Sequence, residues 1–279
     1  MKMRILWITM AAMMALSVAP AIARAGPPAM ESGFHALYDT RFHEAREQFQ
    51  AWESANPDDP TGPAFEAASY LFEEFYRQGV FTSKFFLDDD RLLEGISGKP
   101  DEARRARFLA AIAKAQSLAE RRMAKNPKDA EALFALTITT GMMADYETLL
   151  DKNQWESLKF VRKSENYAGR LLAVSPDSGD AYLALGAANY IIGSLPFHKR
   201  AFLWLDGIRG NRQLGLAQLS MAAEHGNYLR PFAKILLALI ELRERQPAKA
   251  REQLAELAAE FPQNSSFARE LAMLDHPAH

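Results

Sequence analysis

The feature that most constrains the fold is a helical spacing of apolar residues that a Pro interrupts at intervals. Apolar side chains recur three and four residues apart along most of the chain, which indicates amphipathic helices. Because Pro stops a helix, each interruption marks the end of one helix and the start of another. The clearest interruptions are Pro57, Pro127, Pro176 and Pro262. Convincing period-2 alternation is lacking, so the sequence predicts an all-α fold.

The helices around these prolines resemble the two helices of a tetratricopeptide repeat. Such a repeat has ~34 residues in two antiparallel helices, with a small residue where they touch and a Pro after the second helix. Ala45 stands at the small position before Pro57, and Tyr182 and Gly186 stand at the aromatic and small positions of a first helix. The resemblance extends loosely over residues 33–267, and it implies a partner-binding role without catalysis.

The spacing of the closing prolines predicts irregular stacking. They are 70, 49 and 86 residues apart, and none of these intervals is a multiple of the repeat length. No linker rich in Gly, Ser or Pro divides the chain. We therefore expect residues 26–274 to form a single domain, an irregular solenoid of about ten to twelve helices, and residues 275–279 to form a frayed tail. Residues 81–99 break the rhythm and predict a long ordered loop that ends at a helix start near Asp101.

The first 25 residues are typical of a secretory signal peptide (residues 1–25) and not of the folded domain. Lys2 and Arg4 precede an apolar run of about 14 residues, which is shorter than the ~20 that a membrane helix needs. Ala23-Arg24-Ala25 then has the small-x-small pattern of a cleavage site before Gly26. We expect an exported protein, periplasmic or secreted, with no transmembrane segment in the mature chain. An uncleaved N-terminal anchor is the alternative.

Two properties of the composition exclude whole classes of function. The chain has no Cys, which excludes disulfides, thiolate catalysis, Cys-based metal sites and an acylated lipoprotein. The signal holds three of the basic residues, so its removal takes the formal net charge from −2 to −5. This acidic balance argues against nucleic acid, or an anionic membrane, as the main partner. It leaves room for a local basic patch.

Residues 186–231 are similar to a segment of a second family. They contain Ser194-Leu195-Pro196 and, further on, Gly210-Asn211-Arg212. The eukaryotic inclusion-body-clearance and tetratricopeptide-repeat-39 family has a Ser-Leu-Leu-Pro run followed by a Gly-(Asn/Asp)-Arg run, and this chain departs from it by having one Leu before Pro196. The resemblance implies a helical repeat architecture and an interaction role near organelles or lipid stores, and it brings no catalytic residue. The signal and the length resemble secreted bacterial tetratricopeptide-type proteins instead.

The first helix of each pair lines the concave groove of such a solenoid, so its inward side chains are candidate binding residues. The apolar character of these positions suits a peptide or an acyl chain. The alternative is that further helices fill the groove and that the same residues belong to the core. The candidate groove residues are Phe134, Ile138, Met142, Asp180, Leu183, Ala187, Tyr190 and Ile191.

Basic residues gather around a second break in the helical rhythm, at residues 193–213. Asn211 is expected to cap a helix that starts near Arg212, and Gly210 to permit a positive φ. An Arg cluster here would suit a carboxylate or phosphate ligand; the alternative is that Arg212 locks an irregular loop. The candidate anion-binding or structural residues are Arg209, Asn211, Arg212 and Arg230, with Lys199 and Arg200 nearby.

The sequence contains no constellation typical of a cofactor, metal or catalytic site. The Asp88-Asp89-Asp90 run lacks the alternate spacing, central Gly and final Glu of a calcium loop, and the His residues lack zinc-site spacing. We therefore predict no metal and no cofactor.

The favoured function is an exported, non-enzymatic protein that binds a protein segment or a small apolar or anionic ligand, and no nucleic acid. The alternatives are an all-α enzyme that acts on a glycan through paired carboxylates and a receptor component for an anionic solute.

Overall fold

The computed structural model describes residues 28–88, 91, 94–195, 197, 200, 204 and 209–275. The predicted signal peptide and residues 276–279 of the predicted tail lie outside them. Within the described residues the regular structure is entirely helical, as predicted, and none of these helices is both long and apolar enough to cross a membrane. Their bounds are α1 Pro28–Tyr38, α2 Phe42–Ala55, α3 Thr61–Arg77, α4 Ser83–Phe86, α5 Glu102–Lys125, α6 Ala130–Leu149, α7 Gln154–Val174, α8 Ala181–Ser194, α9 Arg212–His225, α10 Arg230–Arg243, α11 Pro247–Glu260 and α12 Ser265–Asp275.

The long helices pack in pairs along the chain. The partners are α1 with α2, α3 with α5, α6 with α7, α8 with α9, and α10 with α11, while α12 packs on α11. Each pair also contacts the next one along the chain. This stack of hairpins is tetratricopeptide-like, and the twelve helices defined in the described residues confirm the prediction of an irregular helical solenoid.

Local signals determine where several helices begin. The side chains of Asp101, Asp129, Asn153 and Asn211 each accept a hydrogen bond from a backbone N–H in the first turn of α5, α6, α7 and α9. A cap of this kind stabilises a helix by about 1 kcal/mol. The predicted helix starts at Asp101 and Asn211 are therefore confirmed. Among the described residues of the predicted loop at 81–99, Ser83–Phe86 form the short helix α4, and Arg91 and Glu94 have helical backbone.

The inner helices meet around a group of aromatic side chains, here named the central cluster. Phe34 of α1 stacks on Tyr228, with ring centroids 4.9 Å apart. Phe65 of α3 contacts both rings, at 4.5 Å and 5.2 Å, and Phe134 of α6 lies 6.2 Å from the Tyr228 ring. Tyr228 lies directly before α10, so residues from both ends of the chain share one core.

Hydrogen bonds join the two ends of the chain as well. Asn264 donates through Nδ2 to the carbonyl oxygen of Tyr38, 2.9 Å away. The backbone N–H of Gln263 donates to Oδ1 of Asp39 at 3.1 Å, and the Tyr38 hydroxyl donates to the carbonyl oxygen of Tyr228 at 3.1 Å. The solenoid therefore closes on itself, and the central cluster fills the middle of its inner face.

The backbones of α8 and α9 approach each other unusually closely. A Cβ on Gly215 would overlap the backbone nitrogen of Tyr190, and one on Gly186 would overlap the backbone of α9. Close approach at Gly186 is what its sequence position predicts. The positive φ predicted for Gly210 is wrong, since its φ is not positive. Gly is needed there because a Cβ would overlap the backbone nitrogen of Gly193.

Gly215→Ala is expected to destabilise the protein by roughly 1–3 kcal/mol, because the added methyl meets backbone atoms that cannot move without separating α8 from α9. Gly169→Ala in α7 is the matched control. A Cβ at Gly169 has nothing within 4 Å, so the reduced entropy of the unfolded chain and the better helix propensity of Ala should stabilise the protein by about 0.5–1 kcal/mol. Urea unfolding monitored by circular dichroism measures the free energy of unfolding of both variants. If the two substitutions changed it equally, the close packing of α8 on α9 at Gly215 would be contradicted.

Candidate functional site

The predicted groove residues on α6 are covered by other parts of the protein. Phe134 and Ile138 pack against the central cluster. Met142 is buried in a second core between α3, α5 and α6. A ligand could reach Met142 only by displacing neighbouring side chains, and it would meet only part of Phe134 and Ile138, which are half-buried.

Asp180, another predicted groove residue, is buried and binds the backbone. Its carboxylate accepts hydrogen bonds from the backbone N–H groups of Asn227, Tyr228 and Leu229, at 2.9, 3.1 and 2.9 Å. Burial raises the pKa of Asp180, and these three donors oppose that rise. Because the donors belong to the turn that carries Tyr228, Asp180 fixes that ring in the central cluster.

The remaining predicted groove residues lie on α8 and differ in exposure. Leu183 and Tyr190 are buried, and Ala187 is half-buried. The Tyr190 hydroxyl donates to Oε1 of Glu244 at 2.8 Å. Ile191 turns its side chain away from the core and is exposed. Among the eight predicted groove residues, Ile191 is the one with a largely accessible side chain.

The four predicted loop residues are not brought together at one point. Arg230 pairs with Glu260 at the start of α10, whereas Arg212 lies at the opposite end of α9, which is about 20 Å long at 1.5 Å per residue. Arg212 pairs with Glu244, so its charge is already compensated. Asn211 caps α9 by accepting a hydrogen bond from its first turn. These contacts fit the structural interpretation of the loop.

Four large apolar side chains in the stretch of chain from the end of α8 to the start of α9 are exposed instead. Ile191, Phe197, Trp204 and Leu214 are 59, 78, 57 and 47% exposed. Of these four, only Ile191 is among the predicted groove residues. A group of large apolar side chains in contact with solvent is unusual for a folded protein and indicates a surface that meets a partner.

Two Arg side chains lie beside these residues. Nη1 of Arg200 donates to the carbonyl oxygen of Gly193, 3.2 Å away, in the last turn of α8. The guanidinium of Arg209 lies over the indole ring of Trp204, 5.7 Å from its centroid. We name Arg200 and Arg209, together with the four exposed apolar residues, the 191–214 surface.

Two carboxyl groups elsewhere have strongly shifted pKa values. Burial raises the pKa of Asp145 on α6 to about 7. Burial also raises the pKa of Glu241 on α10 to about 7, opposed by Lys249 and reinforced by the carboxylate of Glu252. No described carboxylate contributes to the shift of Asp145, whereas catalytic carboxylates in glycan hydrolysis lie ~5–10 Å apart and perturb each other. Within the described residues, His, Asp and Glu side chains also form no group suited to a metal.

Comparisons with known proteins assign no family to the chain. No family model matches it, and no curated protein matches it. Among solved structures it is similar to a thermophilic TPR protein of Thermus thermophilus, with 13% sequence identity, a TM-score of 0.46, and coverage of 88% of this chain and 96% of that one. A likeness at this level transfers neither an activity nor a partner.

Asp145→Asn is expected to stabilise the protein at pH 8 by roughly 2–4 kcal/mol and to have little effect near pH 4. The pKa of Asp145 rises from 3.8 in the unfolded chain to about 7 in the fold. The carboxyl is protonated in both states at low pH, so it then costs nothing. As pH rises towards 7, only the unfolded chain releases its proton freely, and the fold loses stability until both states are ionised.

Urea unfolding of the wild type and the variant at pH 4, 6 and 8 measures this dependence. Glu120→Gln serves as the control. It removes one carboxylate at an exposed position of α5, where no buried charge destabilises the fold. If Asp145→Asn changed the free energy of unfolding by the same amount at all three pH values, the raised pKa of Asp145 would be contradicted.

Proposed function

We propose that the protein is an exported, non-enzymatic binding protein of the cell envelope and that it meets its partner through the 191–214 surface. The observation that carries the proposal is the exposure of four large apolar side chains between the last turn of α8 and the first turn of α9. Single exposed apolar residues are common, but a group of them is typical of an interaction surface. Arg200 and Arg209 add charged groups at its rim, as binding surfaces commonly have.

The inner face supports a binding site less well. Its middle is occupied by aromatic rings that contact one another, those of Phe34, Phe65, Phe134 and Tyr228. A bound peptide or acyl chain would have to replace these contacts, and each aromatic pair is worth about 0.5–1.5 kcal/mol beyond the area that it buries. The surface at α8 and α9 requires no such exchange.

The two surface residues that lie on α8 and α9, Ile191 and Leu214, belong to a rigid part of the protein. Glu244 accepts a hydrogen bond from Tyr190 of α8 and pairs with Arg212 of α9. The glycine contacts between α8 and α9 leave their backbones little room to shift. A preorganised surface loses less conformational entropy when it binds, so this end of the pair suits a binding role.

Export is expected to be accompanied by cleavage after Ala25, because Ala23 and Ala25 supply the small residues that a signal peptidase recognises. When the full chain is produced in a bacterial host, N-terminal sequencing of the protein from the periplasmic fraction should begin at Gly26. Ala25→Asp should leave the precursor unprocessed. Recovery of unprocessed wild-type protein from the cytoplasm would refute export.

Photo-cross-linking residues introduced in place of Phe197 and Leu214 are expected to form adducts in intact cells, since both side chains face solvent. The same residue in place of Met273, which is 50% exposed on α12, is the control for random encounter, and one in place of Phe134 probes the inner face. Mass spectrometry of the adducts distinguishes protein from lipid. Adducts at Phe134 with none at Phe197 and Leu214 would move the site to the inner face.

A further inference from the structure

We propose that the partner of the 191–214 surface is a lipid bilayer with anionic headgroups, to whose surface the protein adsorbs without crossing it. This inference rests on the proposed function, since it names the partner of the same site. It depends on the geometry of the exposed aromatic residues, on the position of the two Arg side chains and on the local balance of charge.

The two exposed aromatic residues and Arg200 stand at helical spacing in the sequence. Phe197, Arg200 and Trp204 each have helical backbone, and their sequence spacings of three and seven residues are those of side chains on one face of a helix. Phe197 and Trp204 are exposed there. Trp is suited to the boundary of a bilayer because its ring is apolar and its N–H is polar.

The two Arg side chains accompany the aromatic rings. Arg200 is tethered through Nη1 to the carbonyl oxygen of Gly193, which leaves other N–H donors of its planar guanidinium for a phosphate. Arg209 lies over the indole of Trp204. When that indole enters the headgroup layer, Arg209 therefore enters with it, where lipid phosphates lie.

The local charge is opposite to that of the whole protein. The chain has a formal net charge of −2, but residues 197–212 contain four basic residues, Lys199, Arg200, Arg209 and Arg212, and one acidic residue, Asp206. Since Glu244 compensates Arg212, three basic residues remain against one acidic residue. A basic stretch in an acidic protein is drawn to an anionic surface in one orientation. Exposed aromatic residues next to basic ones are the pattern of segments that lie in a membrane interface.

A second copy of the chain fits the surface less well. In a twofold dimer the same patch meets itself, so two copies of Arg200 and two of Arg209 would enter one interface to which the 191–214 surface contributes no acidic residue. Like charges brought together in an interface disfavour association. Lipid phosphates provide the opposite charge that these side chains lack in such a dimer.

The test is co-sedimentation of the chain from Gly26 onwards with vesicles. Vesicles of phosphatidylglycerol and phosphatidylethanolamine should bind the protein, vesicles of phosphatidylcholine should bind it at least about tenfold more weakly, and added salt should weaken the anionic binding. Lipids brominated on their acyl chains should quench the Trp emission of the wild type. Trp204→Phe should abolish that quenching.

Paired variants separate the two contributions to binding. Phe197→Ser with Trp204→Ser should weaken binding by roughly tenfold or more, and Arg200→Glu with Arg209→Glu should weaken it by about fivefold per charge removed. Leu87→Ser with Met273→Ser removes two apolar side chains exposed elsewhere, and Arg121→Glu reverses an exposed charge on α5. These controls should bind like the wild type, and circular dichroism verifies that every variant is folded.

Each contrary result overturns a different statement. Equal binding to anionic and neutral vesicles, or loss of binding in the control variants, refutes the lipid proposal. Absence of vesicle binding together with protein adducts at Phe197 in cells refutes it while leaving the proposed function in place. Concentration-dependent dimers that Phe197→Ser abolishes, without vesicle binding, identify a second copy as the occupant. Absence of both vesicle binding and adducts refutes the proposed function as well.

Discussion

The packing of Tyr228 against Phe34 and Phe65 is the interaction on which the rest of the architecture depends. It joins the last third of the chain to the first two helix pairs, across a sequence separation of more than 150 residues. Asp180 holds the turn that carries Tyr228 through three backbone hydrogen bonds. A stack of helix pairs can remain open, because each repeat contacts only its neighbours. Here the contact between the two ends turns the stack into a closed body.

Closure determines where a partner can bind. In an open solenoid the concave face is accessible, but in this chain aromatic side chains from α1, α3 and α6 fill its middle. Apolar surface that is already buried stabilises the fold and offers little further free energy to a ligand. Exposed apolar area is therefore the more informative feature, and the largest exposed apolar side chains at one place are those of the 191–214 surface.

Features that depend on near neighbours could be predicted from the sequence, and features that depend on distant ones could not. The starts of α5 and α9 follow from Asp101 and Asn211, because a cap acts within one turn. The pairing of Tyr38 with Asn264 joins residues 226 positions apart, and no local pattern encodes it. For the same reason the sequence did not reveal whether Phe134 faces a groove or a core. The sequence predicted a break in the helical rhythm over residues 193–213 and did not single out Phe197 or Trp204, because their exposure depends on what the rest of the chain leaves uncovered.

The contacts of Glu244 explain how an exposed apolar surface can coexist with a well-ordered core. Glu244 lies directly after α10, accepts a hydrogen bond from the buried Tyr190, and pairs with the half-exposed Arg212. One carboxylate thus connects the inner side of α8 to the beginning of α9. The exposed residues Ile191 and Leu214 lie one and two residues from these contacts, so their positions are set by the core and not by a partner. A surface held in this way requires little rearrangement to bind, which is why we place the function there.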